Sequence, residues 1–165
     1  MPLFWAANGA MATTAELQPV TTGTAIKTML QIATPATKTL RVVEWGISFD
    51  GSAAATPIRC ELIDTNVAAT VTAHIAAGVQ PYDDPASALA SAMTLGTAAT
   101  GYTATAEGSI TATRTGDVQL VAPTQQYVKF WPLGREFRVA ASRFLRVRVK
   151  AAAAVNAYTY VVWEE

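Results

Sequence analysis

Few residues of this chain are able to do chemistry, and their spacing does not suit it. His74 is the only histidine among 165 residues. A Ser-His-Asp or Cys-His arrangement has to use it. It lies in Thr72-Ala73-His74-Ile75-Ala76, with no Gly-x-Ser-x-Gly elbow nearby. Cys60 is the only cysteine. No intramolecular disulfide can form, and one Cys plus one His cannot supply the three or four ligands of a zinc site. Asp83-Asp84 stands before Pro85 and reads as a cap or solvated turn, at best a weak calcium ligand. Glu44 and Asp50 fall on the polar parity of a strand, where exposed acids belong. No Gly-rich phosphate loop occurs. This inventory points away from an enzyme and implies no cofactor and no metal.

Two groups of side chains suit binding instead. Exposed aromatic faces stack on sugars, and there are four tryptophans. Trp45 fits a core alternation; Trp5, Trp131 and Trp163 remain candidates beside the commoner reading of buried or interface tryptophan. Arg146, Arg148 and Lys150 alternate along one strand face, with Arg135, Arg138 and Arg143 close in sequence. Such a stripe can meet nucleic acid, form intersubunit salt bridges or face a shell. It can also be a polar sandwich face balanced by neighbouring acids, and zero net charge favours that balance.

The elements that must carry these residues are strands. Val43, Trp45, Ile47 and Phe49 alternate with Glu44, Gly46, Ser48 and Asp50, a period of two with one apolar face. Leu40 and Val42 fall on the other parity, which predicts a bulge near Val42–Val43. Asp50-Gly51 marks a turn. Ile58, Cys60 and Leu62 form a second strand, and Val71, Ala73 and Ile75 one side of a third. Asp84-Pro85, with Leu89 and Met93 four apart, is compatible with a two-turn helix, but so short a segment does not hold one alone. Residues 102–106 and 109–114 alternate around Glu107-Gly108 and predict a hairpin. Residues 128–131 run into Pro132-Leu133-Gly134, and Phe137 and Val139 begin the next strand. The last two runs, Leu145/Val147/Val149 and Tyr158/Tyr160/Val162, predict a hairpin joined across 151–156. Eight to ten strands with little helix and no fixed repeat indicate an all-β, jelly-roll-like antiparallel β-sandwich.

Residues 1–25 read as an extended N-terminal arm preceding a single sandwich domain over 26–165. Leu3, Phe4 and Trp5 form an apolar tip without period, suited to anchoring on a neighbouring subunit. Charged residues make up only 15% of the chain, and Ala and Thr fill the space. A surface this poor in charge is suited to being covered by partners. Residues 1–120 carry five Lys/Arg and nine Asp/Glu, and residues 121–165 carry seven and three. No charged region precedes an apolar run at the N-terminus, and no run is long enough to span a bilayer. The sequence therefore implies no membrane partner and no nucleic-acid partner.

Four segments carry a family resemblance: residues 38–51 (KTLRVVEWGISFDG), 101–114 (GYTATAEGSITATR), 130–136 (FWPLGRE) and 144–165 (FLRVRVKAAAAVNAYTYVVWEE). Together they resemble small structural proteins of tailed bacteriophages, especially those infecting actinobacteria. The resemblance runs over most of 26–165 and excludes the arm. It implies a virion part, made in the host cytoplasm and carried on the capsid surface. Its role is expected to be decoration or cement: a homotrimer bound to the major capsid protein at three-fold positions, stabilising the shell. A carbohydrate- or host-binding module of a tail or head fibre is the alternative.

Overall fold

The structure is a computed structural model describing residues 2–11, 15–52, 54–83 and 90–165. The strands are β1 (Leu3–Ala7), β2 (Val20–Thr21), β3 (Lys27–Ala33), β4 (Leu40–Phe49), β5 (Ile58–Thr65), β6 (Thr70–Ala73), β7 (Gln80–Pro81), β8 (Gly101–Ala106), β9 (Thr113–Val121), β10 (Gln126–Phe130), β11 (Phe137–Val139), β12 (Phe144–Lys150) and β13 (Asn156–Glu164). Among the described residues they form two antiparallel sheets packed as a sandwich. One sheet runs β10-β4-β13-β1-β7, with β11 beside β4 and β2 beside β13; the other runs β6-β8-β3-β12-β5-β9.

The period of two in β4 places Trp45, Ile47 and Phe49 in the core against Leu62, Leu145 and Val147 of the facing sheet. Full burial of each such side chain is worth about 1.5–3 kcal/mol. The bulge is present. Val162 pairs with Glu44 but Trp163 pairs with Val42, so Val43 is the extra residue. It returns Leu40 and Val42 to the buried face despite their opposite parity. Asp117 enters the inner layer as a paired acid. Its carboxylate accepts from Trp45 Nε1 (3.2 Å), Tyr127 Oη (2.8 Å) and Gln119 Nε2 (3.0 Å).

Three connections cross between the sheets side by side: β4 to β5, β9 to β10, and β12 to β13. Gly51 N–H donates to Pro123 O at 2.8 Å, and Asp50 N–H to Asn156 O at 3.3 Å, tying these corners together. A Cβ on Gly51 would lie 2.7 Å from the Pro123 ring, so the approach needs glycine. The paired ribbons β4–β5 and β12–β13 thus wrap together in jelly-roll fashion. This corrects the hairpin expected over the last two strands, since β12 and β13 belong to opposite sheets. The hairpin expected around Glu107-Gly108 is also absent: β8 pairs with β3 and β6, and β9 with β5. The third strand shortens to β6, because a 3-10 turn at Ala76–Gly78 follows. The helix considered at Asp84-Pro85 and Leu89 lies outside the described residues.

The N-terminus is not a free arm. β1 sits inside its own sheet between β13 and β7, in register from Leu3↔Glu164 to Ala7↔Tyr160. Asn8 extends the ladder with its side chain: Nδ2 donates to Ala157 O and Oδ1 accepts from Thr159 N–H, each at 2.9 Å. β2 pairs with β13 further on. The sandwich therefore begins at Leu3 rather than at residue 26.

Candidate association surface

Burial and hydrogen bonding occupy the residues best suited to chemistry. His74 is buried; its Nε2 lies 2.9 Å from Ala7 O and donates to it. The ring stacks obliquely on Tyr102 with centroids 4.8 Å apart. Burial pulls the His74 pKa down, and the Ala7 carbonyl only partly offsets this. Cys60 is fully buried on β5, where burial pushes its thiol up to about 12. A thiol so held is a poor nucleophile at neutral pH. Among the described residues no three His, Cys, Asp or Glu side chains converge as metal ligands. Asp83 is exposed, and Asp84 lies outside the described residues.

The expected anchor of Leu3, Phe4 and Trp5 is used within the chain. Phe4 is 1% exposed and faces Trp163 at 6.2 Å. Trp5 and Leu3 point to the outer face of the sheet and are half-buried, Trp5 lying 6.5 Å from the Tyr160 ring. The physical reason is pairing: without β1, the apolar strand β13 would present an open edge on that side. The run reads as periodless because its outward residues, Leu3 and Trp5, are apolar as well as its inward ones.

Alternation does set Arg146, Arg148 and Lys150 on the outer face of β12, but they are not one exposed stripe. Arg146 is fully buried, covered by the segments flanking β6 and β8. Its guanidinium donates to Thr28 Oγ1 (3.0 Å), Glu107 O (2.8 Å), Val67 O (3.3 Å) and Glu107 Oε2 (2.8 Å). A capsid-facing or intersubunit role for Arg146 is thereby corrected. Arg148 Nε donates to Glu61 Oε1 at 2.6 Å, and Arg59 reaches the same carboxylate at 3.0 Å. Lys150 is exposed beside Arg59 and Ile26. Neighbouring acids balance this face, as zero net charge suggested.

The tryptophans follow the core reading. Trp45 and Trp163 are fully buried, and Trp131 is half-buried against the core with Lys129 Nζ 5.8 Å from its ring. A shallow trough crosses the outer face above Gly46 and Ser48, walled by Tyr158 and Tyr160 on one side and Gln126 and Val128 on the other.

The feature that sequence reading missed lies on the opposite flank from β6 and β7. There, among the described residues, β9 and β10 are the outermost strands of their sheets, each laddered to one neighbour. β9 carries Val118 and Leu120, the latter 73% exposed, on the outer face of its sheet, and β10 carries Val128 and Phe130, the latter 65% exposed, on the outer face of the other, with Leu133 exposed in the following turn. Outward-facing apolar side chains on open edges are what native sandwiches blunt unless a partner covers them. A signal was present: Val118, Leu120 and Val121 put apolar residues on both parities of one strand.

No protein-family model, curated protein or solved structure matches the chain. Its reading rests on its own residues.

Proposed function

We propose that the chain is a non-enzymatic structural protein of a phage virion. In this reading it is a capsid decoration subunit that associates as a homotrimer and stabilises the outer shell. The observation that carries the proposal is the flank formed by the open edge strands β9 and β10, with exposed apolar side chains on its two outer faces that can meet one another between copies. Closed rotational symmetry covers such a flank without leaving a growing edge, and a three-fold assembly matches a three-fold lattice point. Many weak contacts then add through multivalency. The low charge content, the occupied state of His74 and Cys60, and the resemblance of residues 38–51, 101–114, 130–136 and 144–165 to phage structural proteins all support it. With β1 folded into the sandwich and the flank covered by other copies, grip on the shell falls to loops rather than to an arm.

Sedimentation equilibrium of Leu120→Asp and Phe130→Asp tests the proposal. Each substitution lowers the assembled mass, while Ile75→Asp, at an exposed position on the far side, leaves it unchanged. Equal masses for all three variants and the parent would refute the flank as the interface.

A second reading, a carbohydrate- or host-binding module, is favoured by the trough over Gly46 and Ser48. Its stacking face would be Tyr158 and its hydrogen-bonding groups Gln126 and Ser48. Glycan-array binding lost in Tyr158→Ala supports that reading; an array without hits removes it.

A further inference from the structure

The two outer faces of the β9/β10 flank carry opposite charge directly behind their apolar edges. On one face the ladder runs Leu120–Arg59–Lys150 across β9, β5 and β12, and beside it Val118–Glu61–Arg148. Arg59, Glu61, Arg148 and Lys150 line one shallow depression, so they share a side of the sheet. Glu61 is matched by Arg148 and by Arg59, whose Nη2 lies 3.0 Å from Oε2. Lys150 is exposed and makes no hydrogen bond or ion pair among the described residues. Three cations beside one carboxylate leave this face with positive charge in excess. Arg59 and Lys150 are direct cross-strand partners, and like charges so placed repel. The Arg59 side chain is 55% exposed, so its charge is open to a partner.

On the other face Phe130 of β10 stands directly across from Glu44 of β4, and Val128 across from Gly46. Glu44 accepts a hydrogen bond from Tyr160 Oη, whose ring lies over Gly46. Among the described residues no Lys, Arg or His lies within ion-pair distance of Glu44. Further along this face Arg41 and Arg138 face each other on β4 and β11. Arg41 pairs with Glu164 at 3.6 Å, and Glu136 lies in the field of both arginines. Glu44 is thus the unmatched charge beside Phe130.

Both faces have the same order, an edge hydrophobe and then an unmatched charge, but the sign is reversed. Two copies meeting through the same face bring like charges together, which disfavours that contact. Unlike faces bring Leu120 to Phe130, and Arg59 and Lys150 to Glu44. Such a contact is heterologous and forms a ring when its rotation closes.

We propose that copies of this chain associate through unlike faces: the outer face of β9, β5 and β12 of one copy lies on the outer face of β10 and β4 of the next. Glu44 then pairs with Lys150 and Arg59 of the neighbouring copy. This rests on the self-association proposed above and specifies its partners.

The test is sedimentation equilibrium of the parent chain, Glu44→Lys, Lys150→Glu and the double variant. Lys150 holds no internal bond, so Lys150→Glu keeps the fold. Each single reversal raises the concentration of half-dissociation by about tenfold, the loss of one interfacial charge pair. Glu44→Gln, which keeps an acceptor for Tyr160, raises it less. The double variant associates more tightly than either single, and Lys38→Glu, in the exposed turn before β4, changes nothing. If the parent assembles and Leu120→Asp dissociates it while both reversals leave the midpoint unchanged, the flank stands and the pairing of unlike faces is overturned. A double variant no tighter than the weaker single also overturns the pairing. A monomeric parent overturns both readings.

Discussion

Replacing Glu107 by alanine is predicted to unfold more of this protein's stability than replacing its partner Arg146 by methionine. The asymmetry follows from burial. The Arg146 side chain is wholly inside, while 26% of the Glu107 side chain reaches solvent. Glu107 also accepts from Thr28 N–H at 2.5 Å and Thr28 Oγ1 at 2.6 Å, and Thr28 is itself fully buried. Glu107→Ala therefore strands a buried cation and a buried N–H, a loss of about 3–5 kcal/mol. Arg146→Met removes the cation, fits its stem into the same space, and leaves Glu107 with two donors and a solvent window. The lost bonds to Val67 O and Glu107 O make this a loss of about 1–2 kcal/mol. The double variant loses less than the sum of the singles, because no unpaired cation remains. Urea unfolding with an unchanged m-value reads all three. A Glu107→Ala loss no larger than that of Arg146→Met, or strict additivity, would refute the assignment of Arg146 as a buried, singly compensated cation.

Three further predictions follow from particular contacts. The folded-state pKa of His74 lies below the usual 6.5, so acidification below 6.5 favours the unfolded chain, which binds the extra proton. Stability falls with pH there by up to about 1.4 kcal/mol per unit, and His74→Gln flattens that slope in pH-dependent urea melts; an unchanged slope contradicts the burial of a neutral ring. Gly101→Ala places a Cβ 2.3 Å from Thr72 O and 2.6 Å from Val71 Cγ2, so strand β6 must move, at about 1–3 kcal/mol; an unaltered thermal midpoint argues against this close strand approach. Cys60, pushed up to about 12 and fully buried, stays unlabelled by thiol reagents at pH 8 in the folded protein and reacts in urea; fast labelling of folded protein shows that β5 is not covered as described.

Local periodicity reported the strands well. The alternation around Trp45 located β4, its buried face and the bulge at Val43, because side-chain direction and ladder register are local properties. It did not report sheet membership. The runs ending at Lys150 and starting at Asn156 look like a hairpin in sequence, yet the connection crosses between layers, and nothing in the alternation distinguishes the two. β1 eludes the alternation for a related reason: with apolar Leu3 and Trp5 on its outer face, the polar half of the pattern is missing. The arginines show the same limit. Arg146 is buried by Glu107, 39 residues away, and Asp64 gathers Arg114 and Arg143 from 50 and 79 residues away. Such pairings depend on the wrapping of the ribbons, so composition gives only the balance of charge and not its partners.

In the proposed function the flank of β9 and β10 is covered by other copies of this chain. Light scattering of the purified protein across a concentration series measures this directly. The proposed trimer has a mass three times that of the 17.4-kDa chain, held on dilution through the micromolar range. A strict monomer at every concentration would contradict it.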